Sequence, residues 1–569
     1  MYEEIYNLWR EKATDDPSLI KELEEIKGNE EAVSDAFYCD LEFGTAGLRG
    51  VIGAGTNRMN IYTVGKASQG LAAYVNSRTD KGSIAIAYDS RNKSEDFAKT
   101  AAEIFAANGI KVYIYSELMP TPMLSYAVRH LKCDAGVVVT ASHNPAKYNG
   151  YKAYDETGCQ LGPEAADYVM SIMNKIDIFD GVKKIDFEAG LESGSIQFIG
   201  EDLIESYLDE VQNVRVSTDI DLSGLKVIFT PLHGAGNMPV RKILDRIGIS
   251  DVTVVPSQEM PDGNFPTVPF PNPEFRQAFE ESLKIAETTN PDLLLATDPD
   301  CDRVGIAVNV DGDYKLLSGN DVGVLLLDYM LSRKKEMGTL AKNPIAVKSI
   351  VTTDLCKKVA KSYGCEMIDV LTGFKFIGEQ ITALAQKGET DRYILGFEES
   401  YGYLAGDFAR DKDAVVASML ICEMTAYYKT KNLTLIDVLD GIYKKHGYFY
   451  CMQKSFTCEG QTGIEKIKGL MTSLRENPPK EIAGSPVVLI KDFGAQKSMD
   501  LVSGKESAIN LPKSNVIGFY LEDESYIIVR PSGTEPKIKI YVSAVGSDNE
   551  AANKRRDDLE KAGTELLGF

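Results

Sequence analysis

Three aspartates stand at alternate positions in "DPDCDR": Asp298, Asp300 and Asp302, directly after the apolar run "LLLAT". Carboxylates that close repel one another unless a cation or several donors sit among them. Hard oxygen ligands of this kind suit Mg²⁺, which keeps its other positions for water or phosphate oxygens. An EF-hand loop also begins D-x-D-x-D, but here its glycine position is Arg303 and its closing glutamate position is Asn309, so that type of calcium loop is excluded. A solvated acidic turn is the plain alternative. Arg303, beside the triad, suits a site that holds an anion as well as a metal.

A second loop, "TASHNPAKYNGYK", leaves the run "VVV" and offers Ser142, His143 and Lys152. Three readings compete: a hydrolase nucleophile, a serine that carries phosphate, and a polar turn. The flanks Ala141 and His143 do not form a G-x-S-x-G elbow, and adjacent residues usually diverge. The other histidines, His130, His233 and His446, lie in helix-like or unrelated settings. A serine that carries a phosphoryl group needs a metal, basic donors and an incoming hydroxyl. "DPDCDR" supplies the metal and Lys152 a proton shuttle.

Further loops add anion and sugar chemistry. In "RPSGTEPK", Arg530 can grip phosphate bidentately, Ser532 and Thr534 add hydroxyls, and Gly533 lets backbone N–H groups approach an anion. The same composition also makes an ordinary hairpin turn. "GFEESYGY" places Glu398 and Ser400 where a sugar diol could be bound, and "FARDKDA" sets Lys412 between Asp411 and Asp413, which would keep it charged. "FGTAGLRG" offers Arg49 as another anion clamp; with no GK[ST] in the chain, a P-loop is excluded.

The elements that must position these loops repeat three times. A β-like run ends in a polar turn ("SIAIAYDSRN", "LKVIFTPLHGAGN", "PIAVKSIVTTD"), and a second run follows a helical stretch ("KVYIYSELMPTP", "DVTVVPSQEMPDG", "EMIDVLTGFKF"). A third run carries the chemistry ("AGVVVTASHNP", "DLLLATDPDCDR", "RYILGFEES"), and a fourth element closes each set ("YKAYDETG", "VGIAVNVDGD", "GYLAGDFARDKD"). Alternating strands and helices predict doubly wound, parallel α/β sheets, with ligands beyond the carboxyl ends of the strands. The tail, "NVIGFYLEDESYIIVRPSGTEPKIKIYVSAVG" and then "DNEAANKRRDDLEKAGTELL", predicts a smaller α+β domain with an antiparallel sheet and one closing helix. The fold class expected is thus α/β: three similar doubly wound domains plus a C-terminal α+β domain, around one central cleft. The expected bounds are 1–205, 206–325, 326–453 and 454–569. The polar stretch around 455–500 reads as irregular and as the hinge; residues 1–35, with the lone Trp9, read as helical and packed on the first domain.

The 569 residues are 44% hydrophobic and 26% charged, an ordinary globular balance for about four domains. No apolar stretch is long enough to span a bilayer, and the acidic start "MYEEIYNLWREKATDD" is unlike a signal peptide, so a cytoplasmic location is expected. Nine cysteines without a CxxC pair read as free thiols. A net charge of −22 argues against nucleic acid and anionic membranes as partners and requires any anion site to be a local cluster.

Taken in order, the four loops resemble the signatures of the α-D-phosphohexomutase family, the phosphoglucomutases and phosphomannomutases, over most of the chain. TASHNP matches the phosphoserine loop, DPDCDR the metal loop, GFEESYGY the sugar-recognition loop and RPSGTEPK the phosphate loop; length and "FGTAGLRG…TNRMN" look most like its bacterial branch of α-phosphoglucomutases and phosphopentomutases. The resemblance implies an intramolecular phosphotransferase that interconverts glucose 1-phosphate and glucose 6-phosphate through a phosphoserine and a 1,6-bisphosphate, with one Mg²⁺ per chain and glucose 1,6-bisphosphate as intermediate and activator. It implies that Ser142 is phosphorylated and that Asp298, Asp300 and Asp302 hold Mg²⁺ with a phosphoserine oxygen. Glu398 and Ser400 would bind sugar hydroxyls, and Arg530, Ser532, Gly533 and Thr534 the substrate's phosphate. Arg49, His143, Lys152 and Arg303 fall on active-site positions, and Thr372 and Lys412 on sugar- or phosphate-contacting ones. Lys152 is the first general base to consider, on condition that a cation-rich cleft depresses its pKa; Lys412 and His143 are alternatives. Two departures stand out: Cys301 places a thiol in the metal loop, and Tyr401-Gly402 follows Ser400 where bifunctional phosphomannomutases carry a histidine. Open alternatives are a phosphopentomutase, a phosphomannomutase, a glucose 1,6-bisphosphate synthase, a metal-dependent phosphatase and a sensor without turnover. Monomer and dimer are both left open.

Overall fold

A computed structural model describes residues 2–44, 47–458, 460–532 and 537–569, the side chains of 460–462 and 464 excepted. Of the sequence-predicted site residues, Gly533 and Thr534 lie outside the described ones. The chain divides into two compact units. Met1–Leu317, Ile377–Tyr393 and Tyr401–Asn432 form the first; Ser318–Phe376, Ile394–Ser400 and Leu433–Phe569 form the second.

In the first unit, strands β1 (Leu48–Val51), β2 (Ser83–Tyr88), β3 (Lys111–Tyr115), β4 (Ala135–Val139), β5 (Tyr148–Asp155) and β6 (Ile196–Ile199) make a sheet in the order β1-β5-β4-β2-β3-β6. A second sheet joins β7 (Lys226–Thr230), β8 (Asp251–Val254), β9 (Leu293–Thr297), β10 (Val304–Val310) and β11 (Asp313–Leu317) in the order β11-β10-β9-β7-β8. Parallel pairs β2/β3, β2/β4, β7/β8 and β7/β9 form the centres. Strands β4 and β9 are buried at every position, which is why their sequences are apolar without alternation.

The strand after each central run departs from parallel order: β5 returns antiparallel to β4, and β10 to β9. The reason is loop length. Residues 140–147 and 298–303 are too few for a crossover, so the chain must reverse on the spot. Both reversals bend through a left-handed residue that is not glycine, Ser142 at φ +51° and Cys301 at φ +50°, at a cost of about 1–2 kcal/mol each. Tyr401 repeats the device at φ +66°. The chemistry-bearing loops are therefore tight bends at sheet ends.

Three N-terminal helices, Tyr2–Lys12, Pro17–Glu25 and Glu30–Phe37, pack on this unit as the sequence predicts. Trp9 is 1% exposed and meets Phe37, Tyr62 and Phe179 edge to face, with ring centroids 5.4–5.7 Å apart. Trp9→Ala is expected to cost about 3–5 kcal/mol. Calorimetry should show an earlier transition; an unchanged profile would refute the docking.

In the second unit β12 (Ile345–Ser349) pairs in parallel with β13 (Glu366–Val370), and β14 (Tyr393–Glu398) continues that sheet from Ile394 onward. The segment after it, with β15 (Gly402–Leu404) and the helix Ala414–Thr430, belongs to the first unit. The C-terminal sheet contains β16 (Tyr448–Thr457), β17 (Glu481–Ile482), β18 (Ser485–Asp492), β19 (Lys497–Asp500), β20 (Glu506–Ala508), β21 (Ile517–Leu521), β22 (Tyr526–Pro531) and β23 (Lys537–Gly546). Its order is β16-β23-β22-β21-β18-β19-β20, with β17 beside β18, and every pair is antiparallel, as predicted. The closing helix is Asn549–Leu566.

The stretch 455–500 is not irregular. It holds the end of β16, the helix Gly460–Glu476 and strands β17 to β19. Among its described side chains, that helix buries a narrow stripe, Ile467, Met471 and Leu474, in the C-terminal core, and the polar residues between them hide the period. Among the described residues, no helix is long and apolar enough to cross a membrane.

Candidate active site

The first unit gathers Ser142, Lys152, the three aspartates and Lys412. Asp298, Asp300 and Asp302 are buried, and one carboxylate oxygen from each lies within 4.8 Å of the other two. The backbone N–H groups of Asp302 and Arg303 donate to Asp298 Oδ1 at 3.1 and 3.0 Å. Ser142 Oγ donates to Asp298 Oδ2 at 2.7 Å and lies 3.1 Å from His143 Nδ1. Thr121 fastens the middle aspartate: its hydroxyl donates to Asp300 Oδ2 at 2.8 Å and its N–H to the Asp300 carbonyl at 2.9 Å.

Two lysines enter the same cluster. Lys152 Nζ lies 2.7 Å from Asp300 Oδ2 and 3.4 Å from Asp302 Oδ2; Lys412 Nζ lies 3.0 Å from Asp302 Oδ2 and 2.9 Å from Asp411 Oδ1. Asp411 is oriented by the Tyr154 hydroxyl at 2.7 Å and the Gln160 amide at 3.1 Å. Asp413 does not flank Lys412 as a counter-charge. It caps the helix Ala414–Thr430 by accepting from Val415 and Val416 N–H, and burial pushes its carboxyl up to about 6.

These contacts fix the charges. Burial together with Asp300 and Asp302 holds the Asp298 carboxyl well above the usual range. Burial also raises Asp300, but Lys152 and the Thr121 hydroxyl more than offset it, so its net shift is downward. Lys152 is raised: burial pulls it down, yet Asp300 and Asp302 outweigh burial. The depressed lysine expected from sequence is therefore not what this arrangement makes. Desolvation and the nearby Arg303 hold His143 neutral. The Cys301 thiol is buried and held well above its ordinary pKa by burial and Asp413, so it is no thiolate.

Arg303 reaches Glu274 at 3.1 Å and Asp302 Oδ1 at 3.7 Å. Arg49, exposed on β1, is paired in register with Gly150 of β5. Two glycines are required by close approach. A Cβ on Gly47 (φ +79°) would fall 1.8 Å from the Tyr151 carbonyl oxygen, and one on Gly402 would fall 2.2 Å from the Lys412 stem.

The second unit holds Thr372, Glu398, Ser400, Arg530 and Ser532. Glu398 is buried and its Oε1 accepts from Gly373 N–H at 2.8 Å. Thr372 Oγ1 is buried without a hydrogen-bond partner among the described residues. Ser400 is half-buried; its neighbour Glu399 is held by Ser349 at 3.0 Å and Thr352 at 3.2 Å. Arg530, half-buried at the end of β22, lies 3.5 Å from Tyr541 OH, and Ser532 N–H donates to the Lys537 carbonyl at 2.7 Å.

Four family descriptions match the chain in order. Residues 40–179, 205–312 and 318–446 match phosphoglucomutase/phosphomannomutase alpha/beta/alpha domains I, II and III, and residues 497–562 the C-terminal domain. The chain belongs to the phosphoglucomutase/phosphomannomutase family. Among its relatives in that family, the phosphoglucomutase of Staphylococcus saprophyticus is 39% identical over 537 residues, 94% of this chain and 96% of the relative. That of Staphylococcus aureus RF122 is 39% identical over 94% of this chain and 95% of its own. The phosphoglucomutase pp63/parafusin of Paramecium shares the fold at TM-score 0.67 and 19% identity, over 93% of this chain and 95% of that one.

Among the sequence-predicted residues, Ser142, His143, Lys152, the three aspartates, Arg303 and Lys412 share one cluster within the first unit of this family member. Thr372, Glu398, Ser400, Arg530 and Ser532 lie in the second. Sequence reading missed Thr121, Arg91, Glu274 and Tyr154, each of which touches a predicted site residue or its loop. The local signal was slight: polar residues directly after β2 in "YDSRN", and Thr121 in "MPTP" at the start of a helix beyond β3.

Proposed function

We propose that the chain interconverts glucose 1-phosphate and glucose 6-phosphate through phosphoserine at position 142 and a 1,6-bisphosphate. The observation that carries this reading is the Ser142 hydroxyl, bent by its left-handed backbone to within 2.7 Å of Asp298 in a cluster of three acids and two lysines. A divalent cation fits that cluster. Asp300 Oδ1 and Asp302 Oδ1 are buried and accept no hydrogen bond among the described residues, and oxygen donors alone are the set Mg²⁺ prefers. Asp298, Asp300, Asp302 and the Ser142 oxygen would hold it. When bound, Mg²⁺ neutralises charge on the phosphoryl group in transfer.

Phospho-Ser142 gives its phosphoryl group to the 6-hydroxyl of glucose 1-phosphate: the Oγ–P bond breaks, the O6–P bond forms, and the hydroxyl proton passes to a base. The bisphosphate turns over and returns its 1-phosphate: the O1–P bond breaks, the Oγ–P bond re-forms, the base gives its proton to O1, and glucose 6-phosphate leaves. Arg303 and Arg49 bring positive charge, and neutral His143 offers a ring nitrogen beside Oγ. Lys152, held charged by Asp300 and Asp302, acts first as an electrostatic donor. It would act as a base only where a bound cation drew Asp300 and Asp302 away from its proton; Lys412, held by Asp302 and Asp411, would be under the same condition. Glu398, Ser400 and Thr372 bind sugar hydroxyls, and Arg530 and Ser532, with Gly533 and Thr534, take the second phosphate.

The test is a panel of hexose and pentose 1-phosphates followed by phosphorus NMR with a trace of glucose 1,6-bisphosphate. Glucose 6-phosphate should form fastest. Free phosphate would indicate a phosphatase, accumulating bisphosphate a synthase, and binding without conversion a sensor. Arg530→Ala removes one charge-assisted contact and is expected to raise KM about 10–100-fold, with an unchanged melting profile. An unaltered KM would remove the phosphate role.

A further inference from the structure

The turn "YDSRN" after β2 has no part in the chemistry described so far, yet its arginine is among the most enclosed charges in the protein. Arg91 is 2% exposed, and all of its guanidinium nitrogens point at one short segment. Nε donates to the Ser142 carbonyl at 3.2 Å, and Nη1 donates to the Pro145 and Tyr148 carbonyls at 3.0 Å each. Nη2 bonds the Ser142 and Asn144 carbonyls. Its open face is closed by Phe265, whose ring centre lies 5.0 Å from Cζ. Asp89, two residues earlier, completes the arrangement: it accepts from Arg91 N–H at 3.0 Å, Ser94 Oγ at 2.7 Å and Thr140 Oγ1 at 2.6 Å. Thr140 Oγ1 in turn accepts the N–H of Ser142 at 2.8 Å. Both peptide groups of Ser142, N–H and C=O, are thus tied through Thr140 and Arg91 to one buried carboxylate.

We propose that Arg91 is a positioning residue for phosphoryl transfer, which with Asp89 and Thr140 locks the left-handed bend at Ser142 and so keeps Oγ aimed into the aspartate cluster; this rests on Ser142 being the phosphoryl carrier. The bend is a conformation that serine does not favour unaided. Only a planar, multi-donor group can serve four carbonyls of one loop at once; a lysine ammonium keeps the charge but not the fork. Among the described residues, the lock's hydrogen bonds reach the Ser142 loop and none of the three clustered aspartates, so loosening it should slow transfer without weakening sugar binding. A displacement of about 1 Å at a reacting atom can cost roughly 100-fold in rate.

The experiment uses the full chain with Mg²⁺ and glucose 1,6-bisphosphate, with rapid-quench mass spectrometry reporting the rate at which Ser142 gains phosphate. Wild-type labelling at Ser142 establishes the carrier; its absence overturns the phosphoserine reading and this proposal with it. Given labelling, Arg91→Lys should slow it about 100-fold per folded molecule. Thr140→Val, a near-isosteric change that leaves the arginine in place, should slow it about tenfold. In both variants KM for glucose 1-phosphate should stay within about twofold. Should Arg91→Lys not fold, Thr140→Val decides alone. Labelling at the wild-type rate, or a fall in kcat matched only by loss of folded protein, would show that the network merely supports the fold.

Discussion

Ser142→Ala is expected to lower kcat by at least about 10⁴-fold and to abolish the acid-stable phosphate label, while the protein stays folded. The substitution removes one oxygen from a residue that is 5% exposed. Alanine bears the left-handed backbone no worse than serine does, because both carry a Cβ. The N–H bond to Thr140 and the carbonyl bonds to Arg91 belong to the backbone and survive. Asp298 loses one donor of three, since the N–H groups of Asp302 and Arg303 still serve its Oδ1. The local fold is therefore maintained, and only the acceptor of the phosphoryl group is gone. Intact-mass spectrometry after incubation with glucose 1,6-bisphosphate reads the label, and a coupled assay reads turnover. A variant that turns over at the wild-type rate would end the proposed mechanism.

The loops that carry Ser142 and the three aspartates were legible as one cluster because a metal and an anion demand particular residue types within a few positions, and the strands that feed them because burial on both faces leaves no alternation. "LLLAT" and "DPDCDR" make that case together: a fully buried strand, then three acids on a bend. Edge strands were harder. β1, β6 and β11 are short and partly exposed, so their sequences carry little β signal. The contacts that hold the site were not legible, for a different reason. Arg91 meets the Ser142 loop across 51 residues, Thr121 meets Asp300 across 179 and Tyr154 meets Asp411 across 257, and no local pattern encodes such pairs. Charge state was misread for the same cause. Lys152 looked like a lysine in a cation-rich cleft until the fold set two carboxylates beside it, and Asp413 looked like a partner of Lys412 until it proved to be a helix cap.

Asp298→Asn is expected to abolish activity, by about 10³-fold or more, and at the same time to stabilise the protein in EDTA. Without a cation, burial and the two neighbouring acids make the Asp298 charge costly, which is why its folded pKa is raised. A carboxyl whose pKa is higher in the folded state binds more protons there, so its penalty is absent below its ordinary pKa of about 4 and grows with pH by up to about 1.4 kcal/mol per unit until the raised value is reached. Asparagine carries no such penalty. Its carbonyl oxygen can still accept the N–H groups of Asp302 and Arg303, and its amide can donate to Ser142 Oγ. The variant should therefore melt above the wild type at pH 7 in EDTA, with the gap closing as pH falls toward 4. Adding Mg²⁺ should invert the order, because a cation that binds only the folded wild type raises its stability by RT ln(1 + [Mg²⁺]/Kd) and the variant gains little. Calorimetry at two pH values, with and without Mg²⁺, reads all four terms. A variant that melts lower than the wild type in EDTA, or that gains as much from Mg²⁺, would show that Asp298 is neither crowded by its neighbours nor part of a cation site.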